Sequence, residues 1–191
     1  MISGAVRDEL IARYSEPHRR YHTMTHIEDC LTQVAASTDM DDQQRAVMDA
    51  AIWFHDAIYD ATRSDNEAES ARLAAERLAA AGTGQAVIDE VSRLILLTAG
   101  HSVQAGDAIG ARLVSIDLSI LGATPERYDA YAAAIRFEYG HVPEPLSRAG
   151  RAAILSRFLE GGRLFADPVW ADRYEARARA NLTREIAALT A

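Results

Sequence analysis

The sequence predicts an all-α fold, a single-domain helical bundle, and three observations carry that expectation. Alanine is abundant and β-branched runs are short, which favours helix. The 5 prolines and 11 glycines fall at a few punctuation points. Apolar residues recur at helical spacing, and convincing strand-like alternation is absent. No repeat, low-complexity stretch or linker interrupts the chain, so residues 1–191 read as one domain. With 191 residues and 49% hydrophobic content, the chain is large enough to bury a core.

The elements follow in order. AVRDELIARY spaces its apolar residues as a helix does. The polar stretch SEPHRRYHTM separates it from THIEDCLTQVAAS, where Thr25 and Glu28 form the T-x-x-E pattern of a capping box. A third helix runs through DDQQRAVMDAAIWF. Ser64 and Glu67 give a second start signal before AESARLAAERLAAAG, with Gly82 as its stop. AVIDEVSRLILLTA is a fifth helix, GHSVQAGDAIGAR reads as loop, and LVSIDLSILG is a short apolar run carrying Asp117. Thr124 and Pro125 look like an N-cap and first-turn proline, opening a helix that ends at Gly140. SRAGRAAILSRFL and ADRYEARARANLTREIAAL complete the chain.

Composition excludes several classes. A formal net charge of −8 argues against an extended nucleic-acid surface, though a local Arg cluster could bind one phosphate. The single cysteine, Cys30, permits neither an internal disulfide nor a thiolate metal cage. The first residues do not read as a signal peptide, and no window approaches a membrane span. The expectation is a cytoplasmic protein without a membrane partner.

Residues 50–60, AAIWFHDAIYD, pose a question. An apolar run leads into His55 and Asp56, and an uncompensated carboxylate out of water costs several kcal/mol, or changes its protonation state. A salt-bridge partner, backbone donors or a metal ion would compensate it. Asp117 poses the same question, as the one charge inside LVSIDLSIL. His22 and His26 are four apart, which places both on one face if they share a helix; a surface or capping pair is equally compatible. The ordered set His26, His55–Asp56 and Asp117 is more informative than any member. It supplies two imidazoles and two carboxylates, which suit Mn, Fe, Co, Ni, Zn or Mg better than Cu(I). Water on such an ion ionises far more readily than bulk water and becomes a nucleophile.

These residues resemble the H…HD…D signature of the HD superfamily of metal-dependent phosphohydrolases. YHTMTHIEDCL is similar to the entry helix that cyclic nucleotide phosphodiesterases also show. More narrowly, YSEPHRRYH, WFHDAIYD, DNEAESA, DLSILG, IRFEYGHV, GRAAILSRFL and ARANL resemble a bacterial family of metal-dependent HD phosphohydrolases. The resemblance spans nearly the whole chain. It implies a divalent metal held by His26, His55, Asp56 and Asp117, with metal-bound hydroxide as the nucleophile. His22 matches the histidine that protonates the leaving group in phosphodiesterases, a general-acid role. The implied substrate is a small phosphate ester or nucleotide. Two departures stand out. Position 60 is Asp60 where phosphodiesterases have a further His, and only His101 lies between the HD pair and Asp117. The ligand count points to one metal, though Asp56 could bridge a second.

A phosphate needs cationic donors, and the arginine fork matches its oxygens. Arg19 and Arg136 are the candidates, each with a plainer account: a surface position for Arg19 and an acid partner for Arg136. His101 is a candidate phosphate donor or second-metal ligand, although a helix C-terminus alone explains it. Glu67 could hold a water near His22 or simply cap its own helix. Tyr128, Tyr131 and Tyr139 read as packing, and Trp53 and Trp170 as core or interface. Two other classes fit the same scaffold: a di-iron oxygenase, which needs more ligands than are present, and a non-catalytic nucleotide-binding module. A homodimer is compatible with either.

Overall fold

The computed structural model describes residues 2–191, and among them the chain is all-α, with no strand. The helices are α1 (Gly4–Arg13), α2 (Met24–Ala36), α3 (Asp42–Phe54), α4 (Asn66–Ala80), α5 (Gln85–Leu97), α6 (Ala108–Asp117), α7 (Pro125–Glu138), α8 (Glu144–Glu160) and α9 (Pro168–Thr190). A short 3-10 helix, Leu118–Gly122, follows α6. They gather into two compact units, Met1–Leu113 and Val114–Ala191, with the boundary inside α6. No single helix is long and apolar enough to cross a membrane; the pair Ala108–Gly122 and Pro125–Glu138 passes only together, bent by 104°.

In the first unit α3 packs against α2, α4 and α5, and α4 lies along α5. Leu10, Ile27, Met48, Phe54, Leu94 and Ile95 fill its core. Asp41 caps α3 through a capping box with Gln44. Gly82 stops α4 as expected: its φ of +74° is the left-handed conformation that glycine adopts freely. Two start signals differ from expectation. The α2 N-cap is Thr23, so Thr25 lies inside the helix. The α4 N-cap is Asp65 rather than Ser64, and Arg63 engages its carboxylate with two bonds of 2.8 Å.

The largest departure is α6, whose first turns read as loop in the sequence. Asp107 starts it: the side chain accepts from the Gly110 amide at 2.9 Å, and Arg93 holds the same carboxylate. Gly110 is a packing residue here rather than a loop marker. A Cβ there would sit 2.3 Å from Asp107 and 2.7 Å from Leu97.

In the second unit α8 packs on α9, and α9 packs on the 3-10 helix. Gly122 permits that approach, since a Cβ there would lie 2.6 Å from Tyr174. Buried Asn181 donates to the carbonyls of Leu121 (2.9 Å) and Ala123 (3.0 Å), locking the turn that follows Asp117. The stretches DLSILG and ARANL are thus two halves of one contact. Beside it lies a charged cluster in which Arg151 makes bonds of 2.9 and 3.2 Å to Glu185 and 3.3 Å to the Tyr131 hydroxyl. Tyr128 donates to the same Glu185.

Candidate metal centre

The centre lies in the first unit, and α2, the end of α3 and the turn after α3 build it. His26 sits in the first turn of α2 and is buried. His55 is the C-cap of α3, also buried, and Asp56 follows it directly. The helix ends here because the chain turns: the Ala57 amide bonds back to the Phe54 carbonyl at 2.9 Å. Ser70, on α4, then pins the next residues by accepting from the Ile58 amide at 3.0 Å. The apolar run of residues 50–54 is the core face of α3, and its end delivers the charged pair to one place.

Three donor atoms converge there. His26 Nε2 and His55 Nε2 lie 3.2 Å apart. Asp56 Oδ2 lies 3.0 Å from His55 Nε2 and 3.6 Å from His26 Nε2. His55 Nδ1 is 2.9 Å from the Ile52 carbonyl, which only accepts, so Nδ1 carries a hydrogen. In the neutral ring Nε2 is then a lone pair aimed at the centre, facing a second ring nitrogen and a carboxylate oxygen. Such a set repels itself unless a proton or a cation sits among its members. A backbone carbonyl that fixes the tautomer from behind is also what orients metal-bound histidines.

The spacing is compatible with a shared ion. Metal–ligand bonds of about 2.1 Å give donor–donor edges of about 3.0 Å in an octahedron and about 3.4 Å in a tetrahedron. The three separations of 3.0, 3.2 and 3.6 Å span that range. His26 and His55 belong to a group of side chains whose donor atoms lie close enough together to hold a metal ion, and nitrogen and oxygen donors fit a divalent one.

Aromatic rings surround it. His22 stacks on Tyr59, centroids 4.1 Å apart, and lies 6.2 Å from the His26 ring. Tyr21 contacts both histidines, at 5.0 and 4.8 Å. His22 precedes the α2 N-cap, so it does not share a helix face with His26; the loop and Tyr59 bring it there. Burial works against the charge on Asp56, but His55, His22 and His26 outweigh it and hold the carboxyl well below the usual range. Tyr14 donates to the Trp53 carbonyl at 2.9 Å; burial, then the Asp56 charge, pushes its phenol well up. Cys30, one turn after His26, brings its sulfur to 3.8 Å from the ring.

Two of the expected phosphate ligands, Arg19 and Arg136, make bonds within the chain. Arg19 is only 2% exposed. It donates to the carbonyls of His22 (3.2 Å), Asp56 (2.7 Å) and Ala57 (3.1 Å) and to Glu16 (3.0 Å). Tyr14 and Tyr59 flank its guanidinium at 5.3 and 5.4 Å. Four of its five N–H groups are engaged, so Arg19 positions the centre instead of meeting a substrate. Arg136 lies in the second unit and holds the turn after α7, bonded to Glu144, Tyr139 and Val142. This is the acid pairing its plainer account named. His101 closes the turn after α5 with a left-handed φ of +50°, its amide on the Leu97 carbonyl at 2.9 Å. Glu67 lies in the first turn of α4. Asp60 is exposed and folds its own loop through Thr62 at 2.7 and 2.8 Å. Asp117 belongs to the second unit, half-buried at the end of α6.

Sequence reasoning missed Tyr59, Tyr21 and Tyr14. Tyr59 alone left a signal, as the one ring between the two acids of HDAIYD. No family model, curated protein or solved structure matches the chain.

Proposed function

We propose that the protein is a metal-dependent hydrolase of a small phosphate ester or nucleotide. One observation carries the reading: two imidazole nitrogens and a carboxylate oxygen share a space sized for one ion. The resemblance of His26, His55–Asp56 and Asp117 to the H…HD…D signature supplies the reaction class. In this reading Asp117 joins the other three as the fourth ligand. A divalent ion held there would offset the charge of two carboxylates and would lower the pKa of a bound water. His55 offers a nitrogen whose tautomer the Ile52 carbonyl has fixed. Asp56 supplies the carboxylate oxygen that lies nearest both ring nitrogens. His22 stands beside the ligands and protonates the leaving oxygen, with Tyr59 setting the plane of its ring.

The test is elemental mass spectrometry on protein purified without chelator or affinity nickel, followed by a phosphate-ester screen. About one divalent ion per chain is expected, lost in Asp117→Ala and kept in His22→Ala. No metal after reconstitution with Mn, Fe, Co, Ni, Zn and Mg overturns the metal reading. A loaded protein that hydrolyses no ester overturns the reaction class while leaving the centre standing.

A further inference from the structure

Residues 58–60 lie between α3 and α4 and belong to neither. Backbone outside helix and sheet must find other partners, and here they are side chains. Three consecutive carbonyls, those of Ile58, Tyr59 and Asp60, accept from Ser70 (3.3 Å), His18 (2.8 Å) and Asn66 (2.9 Å). Asn66 and Ser70 also take the amides on either side of Tyr59. The Asp60 N–H donates to the Asn66 side-chain oxygen at 3.1 Å, and the Ile58 N–H to the Ser70 hydroxyl at 3.0 Å. Each of the two side chains thus holds both backbone groups of one residue, as a neighbouring strand would.

Asn66 and Ser70 are four apart in the stretch DNEAESA and share one face of α4. A serine inside a helix commonly bonds the carbonyl four residues back in its own helix. Ser70, fully buried, reaches across to the turn instead. Asn66 suits its place because a side-chain amide carries a donor and an acceptor side by side, as a peptide does. Between the two clamped residues stands Tyr59, whose ring stacks on His22 at 4.1 Å. Resting on the reading of His22 as the proton donor, we propose that Asn66 and Ser70 are positioning residues of the centre. They fix the backbone on both sides of Tyr59, and Tyr59 fixes the ring of His22. α4 supplies none of the groups read as ligands or proton donor, yet it sets where the donor stands.

Two readouts on the full chain test it. Proton–carbon correlation NMR of the six histidine rings reads the stack directly. The ring current of Tyr59 shifts His22 upfield, and His22→Ala identifies its peak. Asn66→Ala, whose bonds lie at the surface, should move that peak downfield, towards an unstacked histidine, with circular dichroism and metal content unchanged. Asn66→Asp should do the same: a carboxylate suits a helix N-terminus, so α4 keeps its start, but the donor to Asp60 is lost. Ser70→Ala should give the larger shift, since its bonds are the more buried. In an ester assay Asn66→Ala should lower kcat about tenfold for a poor leaving group and less for nitrophenolate, as a displaced general acid requires. A His22 peak that stays in place in the Asn66 variants overturns the proposal, as do equal losses of kcat on both esters. If the wild type hydrolyses no ester, the reaction class falls, and the His22 peak alone decides for or against the clamp.

Discussion

The molecule gathers charge in two places, and the two are resolved differently. In the second unit Arg151 and Glu185 meet with matched hydrogen bonds of 2.9 and 3.2 Å, and Tyr128 and Tyr131 add their hydroxyls. Donors face acceptors, and the cluster is complete by itself. In the first unit His26 Nε2, His55 Nε2 and Asp56 Oδ2 crowd within 3.6 Å, and the tautomer of His55 makes that nitrogen an acceptor. With that tautomer the three atoms share either a proton or a cation among them. A cluster of ring nitrogens around a carboxylate can exchange a proton for a cation, which a matched arginine–carboxylate pair cannot.

That contrast can be broken or sharpened by substitution. The largest effect is expected at the incomplete set: His55→Ala should abolish stoichiometric metal binding while the helical circular dichroism persists. Next comes His22→Ala, which should keep the metal and lower kcat about 10²–10³-fold, the scale of a lost general acid. The loss should be greater for a poor leaving group than for nitrophenolate; equal losses on both would argue against proton donation. Arg19→Ala leaves three backbone carbonyls without their donor and should cost about 2–4 kcal/mol in chemical denaturation. Arg19→Lys should recover only part of this, because an ammonium cannot reproduce the fork.

The complete cluster should respond in the opposite sense. Glu185→Ala should cost about 2–3 kcal/mol, tempered by partial exposure, because Arg151 loses its partner. Replacing both, as Arg151→Met with Glu185→Leu, should cost less than either single change. Such a reversal has no counterpart at the centre, where pairwise apolar replacement should remove metal binding altogether. The smallest effect belongs to Asp39, whose bonds to Arg112, partly opposed by burial, bring its carboxyl to about 2. A depressed carboxyl stabilises the fold above its unfolded value of about 4, and that contribution fades as pH falls from there towards about 2. The side chain is 64% exposed, so Asp39→Asn should cost under about 1 kcal/mol at pH 7 and flatten the acid limb of the stability curve.

α2 and α5 were legible because their apolar spacing is strong, whereas α7 and α8 were read from turn signals and alanine content. Helix starts were less legible: Thr25 and Ser64 fit a capping pattern, but Thr23 and Asp65 occupy the caps. The first turns of α6 hid behind Gly106 and Gly110, since a sequence shows a glycine without showing the side chain that needs its space. At the centre, residue type and order singled out His26, His55 and Asp56. The arginines misled because charge is visible in a sequence and its partner is not. Arg19 ends on carbonyls 37 and 38 residues away, contacts that no local pattern announces.

That reach has a consequence for assembly. The turn bearing Asp56 is held partly by an arginine from before α2, so its carbonyls gain that donor only when the N-terminal segment has docked. The finished centre is therefore expected to depend on long-range closure as well as on local helix formation. Metal added during refolding would then act as a clock: ions captured before Arg19 seats should exchange freely, and those captured afterwards should leave only as fast as that segment lifts away.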